Sequence, residues 1–119
     1  MDHQALGKKG EELACNFLQA KGFEILDRNW VFRKEELDAV TEKDGRLVFV
    51  EVKTRNGPFS EPLYDIITPK KQKALLRAAE AYYHLHERQE ECRFDVVLVE
   101  YNEHGPEFRH YEEAFFPSV

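Results

Sequence analysis

The chain has 119 residues, of which 42% are hydrophobic and 34% charged, and a net charge of −6. That length suits one domain over residues 1–119, and the composition excludes a disordered chain. No apolar run approaches the ~20 residues of a membrane span, and the N-terminus MDHQALGKKGEE has no signal-peptide h-region, so a cytoplasmic setting without membrane contact is expected.

Gln4 to Lys21 reads as an amphipathic helix, with Leu6, Leu13, Ala14, Phe17 and Leu18 along one side and Gly22 closing it. Glu11 lies at the edge of that stripe, within reach of whatever the helix covers, whereas Glu12 points away. Taken alone, Glu11 is an ordinary surface glutamate. Phe23 to Phe32 reads as a strand with a bend or bulge at Asp27-Arg28-Asn29. Its aromatics belong to the core, with an exposed contact surface as the other role open to Trp30.

Leu37 to Lys53 is the organising hairpin. Two β-prone runs flank Asp44-Gly45, a strong signal for a two-residue turn. In that register Lys43 pairs with Arg46, Asp38 lies opposite Glu51 and Glu36 opposite Lys53. Strict alternation puts Glu36, Asp38, Glu51 and Lys53 on one face. Leu37 with Val52, Ala39 with Val50 and Thr41 with Val48 fall on the other. Opposed carboxylates repel unless something lies between them, and a small cation shared by Asp38 and Glu51 is one solution. A solvated charged face is the other.

Arg55 to Ile67, with Gly57-Pro58 and Glu61-Pro62, reads as a long loop of the kind that is often functional or mobile. Thr68-Pro69 then starts a helix running to about Glu87, with Leu75, Leu76, Ala79, Tyr82 and Tyr83 on its buried side. Gln72 extends that side, an odd place for a polar residue unless it faces a site. Lys70, Lys71 and Lys73 oppose the helix macrodipole, a cost that anion binding or simple solvation would offset. Residues 53–77 hold six basic side chains against two acids, while 87–113 hold nine acids against three arginines. The acidic total argues against nucleic-acid binding by the whole surface, but Lys53, Arg55, Lys70, Lys71, Lys73 and Arg77 form a basic segment within it.

Arg93 to Tyr101 is nearly continuously apolar and suits a central strand, parallel to Leu47–Lys53 through a right-handed crossover. Glu107 to Tyr111 adds an edge strand, and Ala114-Phe115-Phe116-Pro117 is a hydrophobic tail expected to pack back. Cys15 and Cys92 match no zinc spacing, and His84 and His86 do not share a helix face.

An acid followed on the next strand by Glu51-Val52-Lys53 resembles the PD-(D/E)xK nuclease superfamily, which includes restriction endonucleases and archaeal Holliday-junction resolvases. More closely, the chain resembles the YraN-like family of predicted endonucleases. GEELA at 10–14, ELDAV at 36–40, LVFVEVKTR at 47–55, TPKKQ at 68–72 and RFDVV at 93–97 occur in the expected order. The resemblance implies a restriction-endonuclease-like α/β fold with an α-β-β-β-α-β core and a mixed central sheet flanked by helices. It implies metal binding by Asp38 and Glu51, a catalytic Lys53, a supporting acid at Glu11, and Gln72 with Lys71 lining the site. Glu35 departs from the family, which usually has glycine there.

These readings lead to a Mg²⁺- or Mn²⁺-dependent endonuclease acting on DNA, with branched or structured DNA as the suggested form. Arg55, Lys70, Lys71, Lys73 and Arg77 would contact phosphates, and the resemblance to resolvases suggests a homodimer. A nucleic-acid-binding or protein-interaction module without turnover is the competing reading, favoured by the acidic total and Glu35.

Overall fold

The structure is a computed structural model that describes residues 2–116; Pro117 of the expected tail lies outside them. Helix α1 (His3–Ala20) is capped by Asp2, whose carboxylate accepts from the Ala5 N–H at 2.7 Å. It ends where Gly22 donates to Gln19 and Phe23 to Leu18, both at 3.0 Å. That double bond requires the positive φ of 93° that Gly22 supplies.

Three antiparallel strands follow: β1 (Glu24–Phe32), β2 (Glu35–Lys43) and β3 (Arg46–Asn56). The β2–β3 turn has φ of 51° at Asp44 and 79° at Gly45, with Lys43 paired to Arg46. Positive φ at both central residues is the two-residue hairpin geometry that the Asp-Gly pair favours. The expected bend in β1 is present, since its register against β2 slips between Ile25 and Asp27 and Asn29 adopts a φ of 50°.

Two helices, α2 (Leu63–Ile66) and α3 (Pro69–Leu85), cross from β3 to β4 (Cys92–Asn102), which pairs parallel to β3. Strand β5 (Gly105–Tyr111) then closes the other edge against β4. The result is an α/β fold with a five-stranded mixed sheet in the order β1-β2-β3-β4-β5, flanked by helices. The Thr68 hydroxyl caps α3, accepting from the Lys71 N–H at 3.2 Å.

Alternation along β3 and β4 sorts the core into two layers. Leu47, Phe49, Phe94, Val96 and Leu98 meet Leu75, Ala78, Ala79 and Tyr82 of α3. Val48, Val50, Val52, Val97 and Val99 meet Ala14, Cys15 and Leu18 of α1. Helix α1 lies unusually close to β3, because a Cβ on Gly10 would fall 1.8 Å from Thr54 Oγ1. Trp30 is half-buried against the α3 layer, edge-on to Tyr82, and so belongs to the core. The tail packs back through Ala114 and through Phe115, which stacks on Phe94 with ring centroids 4.9 Å apart, while Phe116 is exposed.

The segment expected to be a bare loop after Arg55 is more ordered than its sequence suggests. Strand β3 continues to Asn56, α2 occupies Leu63–Ile66, and Phe59 and Ile67 are buried in the α3 layer. Proline and glycine there mark turns, but two apolar anchors fix the segment to the body.

One buried polar knot braces the α1 layer. Asp95 is fully buried on β4 and accepts from Arg93 Nε at 2.8 Å, from Arg93 Nη2 at 3.0 Å and from the Glu113 N–H at 3.1 Å. His110 Nε2 lies 2.8 Å from the same carboxylate, and Lys21 Nζ lies 2.6 Å from His110 Nδ1. Burial pushes the Asp95 carboxyl up, but His110, Arg93 and the Glu113 amide outweigh it and hold the group below the usual aspartate range.

Candidate metal centre

The β2–β3 ladder runs from Lys43↔Arg46 to Ala39↔Val50 and stops there. Beyond it β2 stays with β1 as far as Phe32↔Glu35, and β3 stays with β4 as far as Asn56↔Tyr101. The sheet therefore forks, and Asp38 stands at the fork. Its Oδ2 accepts from the Val52 N–H at 2.8 Å, a donor that the ended ladder would otherwise leave without a strand partner.

The fork corrects the expected face assignment. Asp38 and Glu51 do meet, with their carboxyl groups within hydrogen-bonding reach, but the ladder ends before them and they are not a ladder pair. Leu37 packs in the α3 layer, whereas Val52 packs in the α1 layer, so these two are not facing partners. Glu36 turns to the α1 side, where it and Glu11 bond the same Asn29 amide, and it does not share a face with Lys53. Strict alternation assumes an uninterrupted ladder, and the fork breaks it between Leu37 and Ala39.

Three carboxylates, Glu11 of α1 and Glu36 and Asp38 of β2, bring oxygens within 4.8 Å of one another. Glu51 joins through Asp38. Burial, then the charge and contact of Glu51, push the Asp38 carboxyl well above the usual aspartate range, against the opposing Val52 N–H. Glu51 is itself buried, 5% exposed, with Lys71 Nζ at 3.4 Å and Lys53 Nζ at 3.9 Å from its Oε2. All four acids present oxygen only, the donor set of hard divalent cations such as Mg²⁺ or Mn²⁺. Cys15 lies near Glu11 and Asp38, and burial raises its thiol, but the converging ligand atoms are those of Glu11, Glu36 and Asp38.

The expected site residues are thus brought together in part. Glu11, Asp38, Glu51, Lys53 and Lys71 converge. Gln72 is half-buried beside Lys71, but its Nε2 donates to the Ile67 carbonyl at 3.1 Å and ties down the end of the preceding segment. The basic set is partly spent on ion pairs. Arg55 holds Glu61 with bonds of 2.5 and 2.7 Å, Arg77 holds Glu35 at 3.1 Å, and Lys71 faces Glu51. Lys70 and Lys73 are exposed and make no ion pair among the described residues.

Two features escaped the sequence reading. Asn29 Nδ2 donates to Glu11 Oε1 at 2.9 Å and to Glu36 Oε1 at 3.2 Å, so a residue of the β1 bulge is built into the acidic cluster. The bend at Asp27-Arg28-Asn29 was its only signal. An open cleft of about 710 Å³ also approaches Glu11, Asn29 and Glu36 from the α1 side, with Lys8 and Arg28 among its walls. Those cations lie outside the basic segment 53–77 and reach the cleft only through folding.

The comparisons with known proteins agree over most of the chain. The profile of the Uncharacterised protein family UPF0102 matches residues 10–99. A UPF0102 protein of Flavobacterium psychrophilum is 40% identical over 116 residues, 97% of each chain. One from Christiangramia forsetii is 39% identical over the same share, and one from Bacteroides fragilis 37% over 118 residues, 99% of this chain and 98% of its own. The matched span contains Glu11, Asn29, Glu36, Asp38, Glu51, Lys53 and Lys71, and on this agreement the chain belongs to the UPF0102 family.

Proposed function

We propose that this protein is a metal-dependent endonuclease that hydrolyses phosphodiester bonds in DNA. The observation that carries this reading is the convergence at the fork of four carboxylates from three elements, with Lys53 and Lys71 against Glu51. Crowding like charges in a half-buried place destabilises a fold, and a purely structural sheet gains nothing from it. A divalent cation held by Asp38 and Glu51, with Glu11 in support, offsets that cost. When bound, such an ion supplies Lewis-acid polarisation of a phosphoryl oxygen and lowers the pKa of a coordinated water.

The protein's own groups divide the remaining work. Water oxygen forms a new bond to phosphorus, the bond to the departing sugar oxygen breaks, and a proton passes from the water to that oxygen. Lys53, with a side chain 41% exposed next to buried Glu51, is free to meet a phosphate while its partner stays fixed. Its ammonium balances charge that grows in the transition state. Lys71 holds Glu51 from α3. The resemblance of Asp38 with Glu51-Val52-Lys53 to PD-(D/E)xK nucleases supports the same assignment.

Lys53→Ala is the discriminating variant. Its expected behaviour is retained DNA binding with metal-dependent cleavage reduced at least a hundredfold, because a group acting on the transition state lowers turnover rather than affinity. The assay is gel-shift and cleavage on single-stranded, duplex and four-way-junction DNA, with EDTA and Mn²⁺ as paired conditions. A non-catalytic binding module is the second reading, favoured by the net charge of −6 and by the extra carboxylate of Glu35, which Arg77 holds at 3.1 Å. Binding by the wild type without cleavage of any substrate would decide for it.

A further inference from the structure

Asn29 is held in a conformation that ordinary residues avoid. Its φ of 50° lies in the left-handed region, where asparagine is several-fold enriched because its short polar side chain is tolerated there. That backbone turn, just after the register slip between Ile25 and Asp27, points the amide at two carboxylates from different elements. One amide nitrogen carries two protons, so the bonds to Glu11 at 2.9 Å and Glu36 at 3.2 Å are made together. Each carboxylate keeps its second oxygen. An amide orients them without cancelling their charge, which a lysine in the same place would do.

We infer that Asn29 is a positioning residue of the metal centre: its amide clamps Glu11 of α1 to Glu36 of β2 and holds both against Asp38. The inference rests on the metal-centre reading above and assigns Asn29 no contact with the ion. Partners of this kind, which orient the groups around a metal, typically alter metal affinity or activity by ten- to a hundredfold when removed.

Glycine and alanine separate the clamp from the backbone. Asn29→Gly deletes the amide and accepts a φ of 50° without strain, whereas Asn29→Ala deletes the amide and is strained. For Asn29→Gly, a metal-free melting temperature near wild type is expected, with a Kd for Mn²⁺ raised roughly ten- to a hundredfold by calorimetry. In a Glu11→Ala background, which leaves Asn29 no oxygen on α1 to hold, the same substitution should cost under about threefold. A wild-type Kd in Asn29→Gly, with Asn29→Ala impaired only in melting, would overturn the clamp and leave the metal centre standing. A wild-type protein that binds no Mn²⁺ would overturn both. A second measurement keeps residue 29 intact: Mg²⁺ should move the Asn29 side-chain amide resonances in ¹H–¹⁵N spectra with the half-saturation of metal binding. Resonances that stay fixed while calorimetry reports binding count against the clamp.

Discussion

At the scale of single residues, two aspartates of the sheet, half-buried Asp38 and fully buried Asp95, carry opposite electrostatics. Asp38 is raised by burial and by Glu51, so its protonated form is favoured by folding. Its contribution is present below the unfolded pKa and is lost as pH rises through the higher folded value. Asp38→Asn imitates the protonated acid and keeps an oxygen for the Val52 N–H. Without metal it should match or exceed wild-type stability by ~1 kcal/mol at neutral pH, with a smaller margin in acid, and lose the Mn²⁺-induced rise in melting temperature. Thermal melts with and without Mn²⁺ at pH 4.5 and 7.5 test both parts. Asp95 is held low, so its stabilisation is present above the unfolded pKa and lost as pH falls through the folded value. Asp95→Asn should cost about 3 kcal/mol at pH 7 by leaving Arg93 without its buried partner. Denaturant curves should show that deficit narrowing below about pH 4, where the unfolded wild type takes up a proton at Asp95 that the folded form still resists.

At the scale of elements, the site depends on where α1 rests. Glu11 follows Gly10, and Gly10 allows the helix to touch β3 at Thr54 with no room for a methyl group. Gly10→Ala should therefore destabilise the fold by ~1–3 kcal/mol despite alanine's better helix propensity, since the backbone or Thr54 must shift. It should also weaken the Mn²⁺ response, because Glu11 moves with its helix. Gly10→Ala paired with Thr54→Ala relieves most of the contact and should recover part of both losses in the same melts. On the opposite face, α3 brings Lys71 to Glu51 from a start fixed by Thr68 and Pro69. The acidic cluster thus sits between two helices that pack on different faces of one sheet, and the fork lets both reach it.

At the scale of the whole molecule, charge is segregated along the chain rather than balanced. The exposed Lys70 and Lys73 extend from the site along α3, while the last third of the chain is acidic. If phosphates dock on these lysines, DNA affinity should fall steeply with salt, because neutralised phosphates release their counterions. Reversing Lys70 and Lys73 to glutamate should then weaken binding to all sequences alike and reduce the log–log salt slope by about 2. An unchanged slope would move the phosphate track to the α1 cleft with Lys8 and Arg28, whose reversal is the matching measurement.

Local chemistry determined much of this by itself. The Asp44-Gly45 turn fixed the hairpin register through Ala39↔Val50, Gly22 and Thr68-Pro69 set the ends of α1 and the start of α3, and apolar β4 had to run centrally beside β3. Asp38, Glu51 and Lys53 were legible as a group because a two-residue turn places them within reach of one another. Tertiary structure alone decided the rest. No local pattern says that β2 and β3 separate after Ala39, since each strand there keeps its other neighbour and the cost of separation is met by the Asp38 carboxylate at the Val52 amide. The fork turned Leu37 to the α3 layer and Glu36 towards α1, against simple alternation. It was likewise folding that gave Arg55, Lys71 and Arg77 their acidic partners, fastened the 57–67 segment through Phe59 and Ile67, and brought Asn29 from a bulge to two glutamates. Turns and caps are contacts over a few residues and are written locally, whereas these last arrangements join groups that only the packed sheet and helices bring together.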